Sequence, residues 1–276
     1  MDWLILRTVG EKEIRAALRN RWFLLYTGLF LILSVAFATA AMSGSTLTGQ
    51  PGFGRTSAGL MNLMLLIVPL IGLTVGAQVI VAERENRFLE YELSQPLRPV
   101  EVYLGMYLGA AASLCLVLAF GLGLAGVVMG LRGGTAGIDD FLLLVLLTML
   151  LGLGMLSVGF LVSSFAPRTA TALGIALTLW LFFVMLGDLG LMGSAAVMKM
   201  TPGTLLGLTL LNPLDTYKLA GMNLMQSSLE VLGPAGAYAI DHLGSWLTVL
   251  VLALLTLWIV APLPIGYWLF RRADFR

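Results

Sequence analysis

Histidine and cysteine are almost missing from this sequence, which holds one of each, His242 and Cys115. A single cysteine cannot close an intrachain disulfide, and one imidazole cannot build a multi-histidine metal site. A Ser-His relay would rest on that one ring, and a histidine beside Asp241 at a span boundary is ordinarily a solvated surface pair. Cys115 lies inside an apolar run, where a small thiol packs as a hydrophobe. Charge is scarce too, at 11% Asp, Glu, Lys and Arg. No glycine is followed by lysine, so a Walker phosphate loop is excluded; if ATP powers this chain, another chain binds it.

What is present is apolar. Hydrophobic residues make up 59% of the 276, and the mean hydropathy of +0.95 places the chain in the membrane class. A net charge of +1 carries little information, because in a membrane protein the distribution of charge is what matters. Nucleic acid is not an expected partner; the lipid bilayer is.

Apolar runs predict an all-α membrane protein with six transmembrane helices at about 22–42, 60–82, 102–130, 141–165, 169–193 and 245–270. Together with the segments between them they form one transmembrane domain, 1–276. Residues 1–21 alternate Leu4, Ile5, Val9, Ile14 and Leu18 with basic residues, as an interfacial helix does. Ala38-Thr39-Ala40 mimics a signal-peptidase site, but the run from Trp22 to Met42 is long enough to span, so a span is the expectation. Ala166-Pro167-Arg168 separates two runs, and proline there fits a tight turn better than one continuous helix.

The densest charge lies at Glu83 to Pro99, ERENRFLEYELSQPLRP, between the second and third spans. An even number of spans puts both termini on one side. With them fall Arg7, Lys12, Arg15, Arg19, Arg21, Arg84, Arg87, Arg98, Arg168, Arg271, Arg272 and Arg276; opposite fall only Arg55, Arg132, Lys199 and Lys218. The positive-inside rule therefore expects the termini and the Glu83 stretch in the cytoplasm.

Residues 194–244, on the opposite side, are too apolar for a plain loop and are broken by Pro202-Gly203, Asn212-Pro213 and Gly233-Pro234. Short re-entrant or interfacial helices are expected there. Asp188, counted from Thr169 at about 1.5 Å per residue, lies roughly 28 Å along its span and so near the outer boundary. It has no second intramembrane aspartate to share a proton, which excludes an aspartyl protease. Met198, Met200, Met222 and Met225 offer thioethers to Cu(I), although methionine is more often a core gap-filler. Gly72/Gly76, Gly105/Gly109 and Gly126/Gly130 permit close helix approach.

Glu83-Arg84-Glu85, followed by Leu89, Leu93, Ser94-Gln95-Pro96 and Arg98, resembles the signature after the second helix of ABC-2-class exporter permeases. Lys12-Glu13-Ile14 with Leu18-Arg19-Asn20-Arg21-Trp22 is similar to that family's interfacial helix. Arg87-Phe88 stands where the family usually has Gly-Thr, and Met106 where it usually has lysine. Leu210-Leu211-Asn212-Pro213-Leu214-Asp215-Thr216-Tyr217-Lys218-Leu219 resembles, more narrowly, the permeases of transporters that mature the copper sites of nitrous oxide reductase.

The resemblance implies a non-catalytic subunit. Its coupling helix (Glu83, Arg84, Glu85, Arg87, Phe88, Glu90, Glu92, Pro96, Arg98) docks a cytoplasmic ATPase, and ATP and Mg sit on that partner, with no cofactor on this chain. A second copy of the permease is also implied. Asn212, Pro213, Asp215, Tyr217 and Lys218 would form an outer gate or meet a periplasmic, copper-handling partner. A mechanical transducer that moves no substrate, and an assembly factor independent of ATP, are the competing readings.

Overall fold

The computed structural model describes residues 8, 10–12, 14–15, 21–45, 53–86, 98–133, 138–187, 202–224, 244 and 246–273. Every regular element among them is helical, which is what an apolar chain requires, because in lipid each backbone N–H and C=O has to be satisfied within its own segment. In chain order the helices are α1 (Arg21–Ser45), α2 (Phe53–Glu85), α3 (Pro99–Gly133), α4 (Ile138–Phe165), α5 (Thr169–Met185), α6 (Pro202–Leu211), α7 (Pro213–Leu224), α8 (Trp246–Val260) and α9 (Pro262–Ala273). The residues described before α1 are helical as well.

Among the described residues, four stretches are long and apolar enough to cross a membrane: Leu60–Glu85, Pro99–Leu131, Ile138–Phe165 and Trp246–Arg272. Two shorter apolar stretches among the described residues accompany them, Thr27–Thr39 within α1 and Thr169–Met185, which is α5. Several boundaries differ from the sequence expectation. The helix holding the second apolar run begins at Phe53, inside what reads as a loop, and α4 begins at Ile138. Asp139 and Asp140 thus lie in the first turn of α4, where the helix dipole favours carboxylates. The last apolar run is two helices meeting at Ala261, ahead of Pro262 and Pro264; the Ala261 N–H still reaches Leu257 O at 2.8 Å.

Helix α4 is the centre of the bundle, packed by α2, α3, α5, α7, α8 and α9. Its closest partner is α2, and glycine is the reason. A Cβ on Gly72 would stand 2.8 Å from Gly152 O, one on Gly76 would run into Leu156 O, and one on Gly159 would run into Leu73 O. The Gly72/Gly76 spacing therefore serves a contact within the chain. Ser163 Oγ strengthens the same seam by accepting the N–H groups of Ile80 and Val81 at 3.0 and 2.9 Å. Gly105/Gly109 is likewise used internally, facing Gly10 of the amino-terminal helical residues.

Toward the Glu85 end, Tyr103 of α3 packs on Phe160, Tyr267 and Phe270 and donates to Leu263 O at 3.0 Å, joining α3, α4 and α9. Within α2, Pro69 removes the N–H that would bond Leu65 O. The next carbonyl, Leu66 O, accepts the Trp180 indole N–H of α5 at 3.0 Å.

Candidate functional site

Glu83, Arg84 and Glu85 form the last turn of α2, and each is committed to a different partner. Lys12 Nζ of the amino-terminal segment lies 3.2 Å from Glu83 Oε2. Arg84 donates through Nη1 to Ala166 O and through Nη2 to Ser164 O, at 3.2 and 3.3 Å. Those carbonyls end α4, where no further turn of helix supplies donors and where the dipole favours a cation.

Glu85 does the reverse for α5. Its Oε1 accepts the Thr169 N–H at 3.0 Å, and its Oε2 accepts the Thr169 hydroxyl. The residue at the N-cap position of α5, Arg168, makes no side-chain cap, so the carboxylate that caps this helix comes from α2. Two adjacent side chains of opposite charge thereby hold the end of α4 and the start of α5, on either side of Pro167. Asn86 closes α2 by donating its N–H to Ala82 O, and Arg98 O accepts from Glu101 N at the start of α3. Arg98 is exposed. Arg87, Phe88, Glu90, Glu92 and Pro96 lie outside the described residues.

The second motif, Asn212 to Lys218, sits at the other end of α5. Asn212 joins α6 to α7 and acts as the cap of α7: its Oδ1 accepts Leu214 N at 3.1 Å, with Pro213 at the first helical position and Asp215 at the third. Its Nδ2 donates both to Asp215 Oδ2 and to Phe183 O of α5, each at 2.9 Å. Tyr217 is fully buried and pairs with Thr148 of α4 at 2.9 Å. Asn212 and Asp215 are only 4% and 8% exposed, and Pro213 is buried, so these side chains are packed within the chain. Lys218 is half-buried.

Because α5 is short, α7 occupies the end of the bundle beyond it, packed on α2, α4 and α8 as well. Asn223 completes the set with a 2.9 Å bond to Thr248 of α8. Met222 packs against the core, while Met198, Met200, Met225 and His242 lie outside the described residues. Among the described residues, no three His, Cys, Asp or Glu side chains come together.

A helical membrane bundle with this charged turn between its second and third apolar helices matches, over residues 7–275, the family described as ABC-2 family transporter protein. The chain belongs to that family. It is 34% identical over 285 residues to the probable ABC transporter permease protein NosY of Pseudomonas aeruginosa, covering 97% of this chain and 98% of the relative. To the probable ABC transporter permease protein NosY of Stutzerimonas stutzeri it is 31% identical over 272 residues, covering 96% and 97%. It is an ABC-2 permease resembling NosY, a membrane protein of the transport class.

Sequence reasoning singled out the charged turn of this permease but not the groups that receive it, Thr169 and the carbonyls of Ser164 and Ala166. The one local signal was Pro167-Arg168-Thr169, a helix start whose own cap residue is a poor capper. Thr148, the partner of Tyr217, carries no such signal: a threonine inside an apolar helix normally bonds back to its own turn, as Thr148 also does to Leu144 O at 2.6 Å.

Proposed function

We propose that this permease couples ATP binding and hydrolysis on a separate cytoplasmic ATPase subunit, which holds ATP and Mg, to movement at the periplasmic face of a bacterial inner membrane. In this reading the chain crosses the membrane six times with both termini in the cytoplasm, and a second copy completes the bundle. Arg87, Phe88, Glu90, Glu92, Pro96 and Arg98 meet the ATPase. Glu83, Arg84 and Glu85 stand behind that surface and pass its displacement inward.

The observation that carries the proposal is that α5 is held at both ends by the two motifs. Glu85 grips its first residue, Thr169, and Asn212 grips a carbonyl of its last turn, Phe183 O. Between those grips α5 fully buries only Ala172, Ala176 and Phe183 and lies along α2 through Ile175, Leu179 and Trp180, so it moves as a stiff helix together with α2. Seventeen residues at about 1.5 Å each make a rod of roughly 25 Å. A pull on the Glu83 turn therefore reaches α7 without unwinding the bundle, a two-state device of the rigid-element kind.

Given the NosY relatives, the process served is maturation of the copper sites of nitrous oxide reductase, by export of a sulfur species or by remodelling of a periplasmic copper-handling protein. The rod favours a further reading in which force alone crosses the membrane and no cargo does. Transport of a sulfur species into vesicles holding the ATPase–permease complex, driven by ATP, would eliminate that second reading.

The coupling itself is tested with a spin label at Leu211, which is 71% exposed at the end of α6. ATP should shift the label-to-label distance across the two copies in the wild-type complex. With Glu85→Ala the shift should vanish while ATP hydrolysis persists. An unchanged shift in Glu85→Ala sinks the rod.

A further inference from the structure

At the end of the bundle opposite Glu85, a cavity of about 220 Å³ opens between α2, α5 and α7. Leu65, Leu66, Phe183, Val184 and Leu214 give it apolar walls, and Asn62, Asp215 and Lys218 give it polar ones. It is smaller than the roughly 300 Å³ typical of pockets for drug-sized ligands, so it suits a compact group and not a peptide.

Its position along the helices fixes what surrounds it. Asn62, Leu65 and Leu66 lie in the first turns of the apolar span that begins at Leu60, while Val184 lies in the last turn of α5 and Gly187 just beyond it. The cavity therefore stands where the apolar slab gives way to the headgroup layer. Its flank is apolar and open, with Leu66, Met185 and Leu186 each close to half exposed.

The charges within it are ordered. Asp215 and Lys218, three residues apart, share one face of α7 and both line the cavity. Asp215 as a residue is 8% exposed, and its Oδ2 accepts from Asn212 Nδ2 at 2.9 Å. Room for that carboxylate is made by Gly187, where a Cβ would stand 2.8 Å from Oδ1. An anion and a cation at a fixed spacing, beside apolar walls that open to lipid, complement a molecule with the reverse order: an ammonium, then an anion, then hydrocarbon.

We propose that this cavity binds the headgroup of an aminophospholipid, with its primary ammonium on Asp215 and Asn62, its phosphate on Lys218, and its acyl chains lying along Leu66 and Leu186. Primary ammonium is specified because its N–H groups donate to a carboxylate, which a quaternary ammonium cannot do. Bound there, the lipid bridges α2, α5 and α7, the joint at which α5 meets the Asn212 motif.

The test is native mass spectrometry of the detergent-purified ATPase–permease complex, titrated with phosphatidylethanolamine, phosphatidylcholine or phosphatidylglycerol of matched chains. The wild type should retain phosphatidylethanolamine most strongly. Lys218→Met should lower that retention on the order of tenfold, the effect of losing one charge-assisted hydrogen bond. Leu66→Trp, which narrows the mouth and leaves both charges in place, should lower it as well. Equal retention of the three lipids, or retention untouched by both substitutions, overturns the proposal. So does competition by soluble phosphoethanolamine at the same concentration as the lipid, which would mean that the acyl chains contribute nothing.

Discussion

Glu85 caps a helix that begins 84 residues later in the chain: its carboxylate takes both the backbone N–H and the hydroxyl of Thr169. A helix start followed by its own apolar run needs an acceptor there, and the local sequence at Arg168 does not supply one. The charged turn that marks the family is thus also part of the internal scaffold, and its substitution has structural as well as functional consequences.

Removing that cap should show first in local opening. Glu85→Ala is expected to speed amide exchange at the first turn of α5, around residues 169–172, with little change in α4. Glu85→Gln, which keeps one acceptor, should lie between Ala and the wild type. Hydrogen-exchange mass spectrometry of the intact complex reads both, and identical exchange in all three proteins would count against the cap.

The Glu83–Lys12 pair separates a scaffold role from a docking role. Glu83→Lys alone should weaken co-purification of the ATPase subunit. Adding Lys12→Glu restores the 3.2 Å pair with its charges reversed and should recover it. The pair is partly exposed, so its direct effect on stability is expected at about 0.2–1 kcal/mol, less at high salt. If the swapped protein still fails to hold the ATPase, Glu83 contacts the ATPase directly. Glu83→Lys with Glu85→Lys should abolish both docking and stimulated hydrolysis.

Glycines of similar sequence appearance should behave very differently. Gly159→Val forces a side chain into the Leu73 carbonyl and should destabilise the bundle by about 1–3 kcal/mol or more, seen as a lower melting temperature in detergent. Gly130→Val meets nothing within 4 Å and should leave the melting temperature unchanged. Equal losses at the two positions would remove the α2–α4 seam as the explanation.

At the Asn212 motif, two substitutions are expected to differ in size. Tyr217→Phe removes a single hydroxyl from Thr148, which keeps its bond to Leu144 O, and should cost about 1 kcal/mol. Asn212→Ala removes the cap of α7 and the donor that Asp215 and Phe183 O share, and should cost about 2 kcal/mol or more. Limited proteolysis near residue 212 and thermal unfolding measure the difference. A larger loss for Tyr217→Phe would reverse the assignment.

Much of this was legible in the sequence where the physics is local. Asn212-Pro213 reads as a break in an apolar segment of short helices, and the structure places the break there, with Asn212 as the cap of α7. Pro167 likewise marks the break between α4 and α5. The direction in which Asn212, Asp215 and Tyr217 face was not legible. The resemblance leaves open whether they line a gate or meet a partner, and it is hydrogen bonds to Phe183 O and Thr148 that make the burial of Asn212 and Tyr217 possible. The break at Ala261 had a local signal in Pro262 and Pro264, but the apolar run from 245 to 270 reads as one span when length and hydropathy alone are followed.

The sequence by itself determined that this is a helical membrane chain, since its apolar runs leave the backbone no other way to satisfy its polar groups. It also determined the family, through the charges at Glu83 to Arg98 and the Asn212 motif. Only the tertiary structure decided what those charges touch. Glu85 reaches Thr169 because α2 and α4 cross at Gly76 and Gly159 in one register, and a shift of one turn, about 5.4 Å, would carry the carboxylate out of reach. Composition specifies helices one at a time, but register between helices is set by which side chains are absent at the crossing.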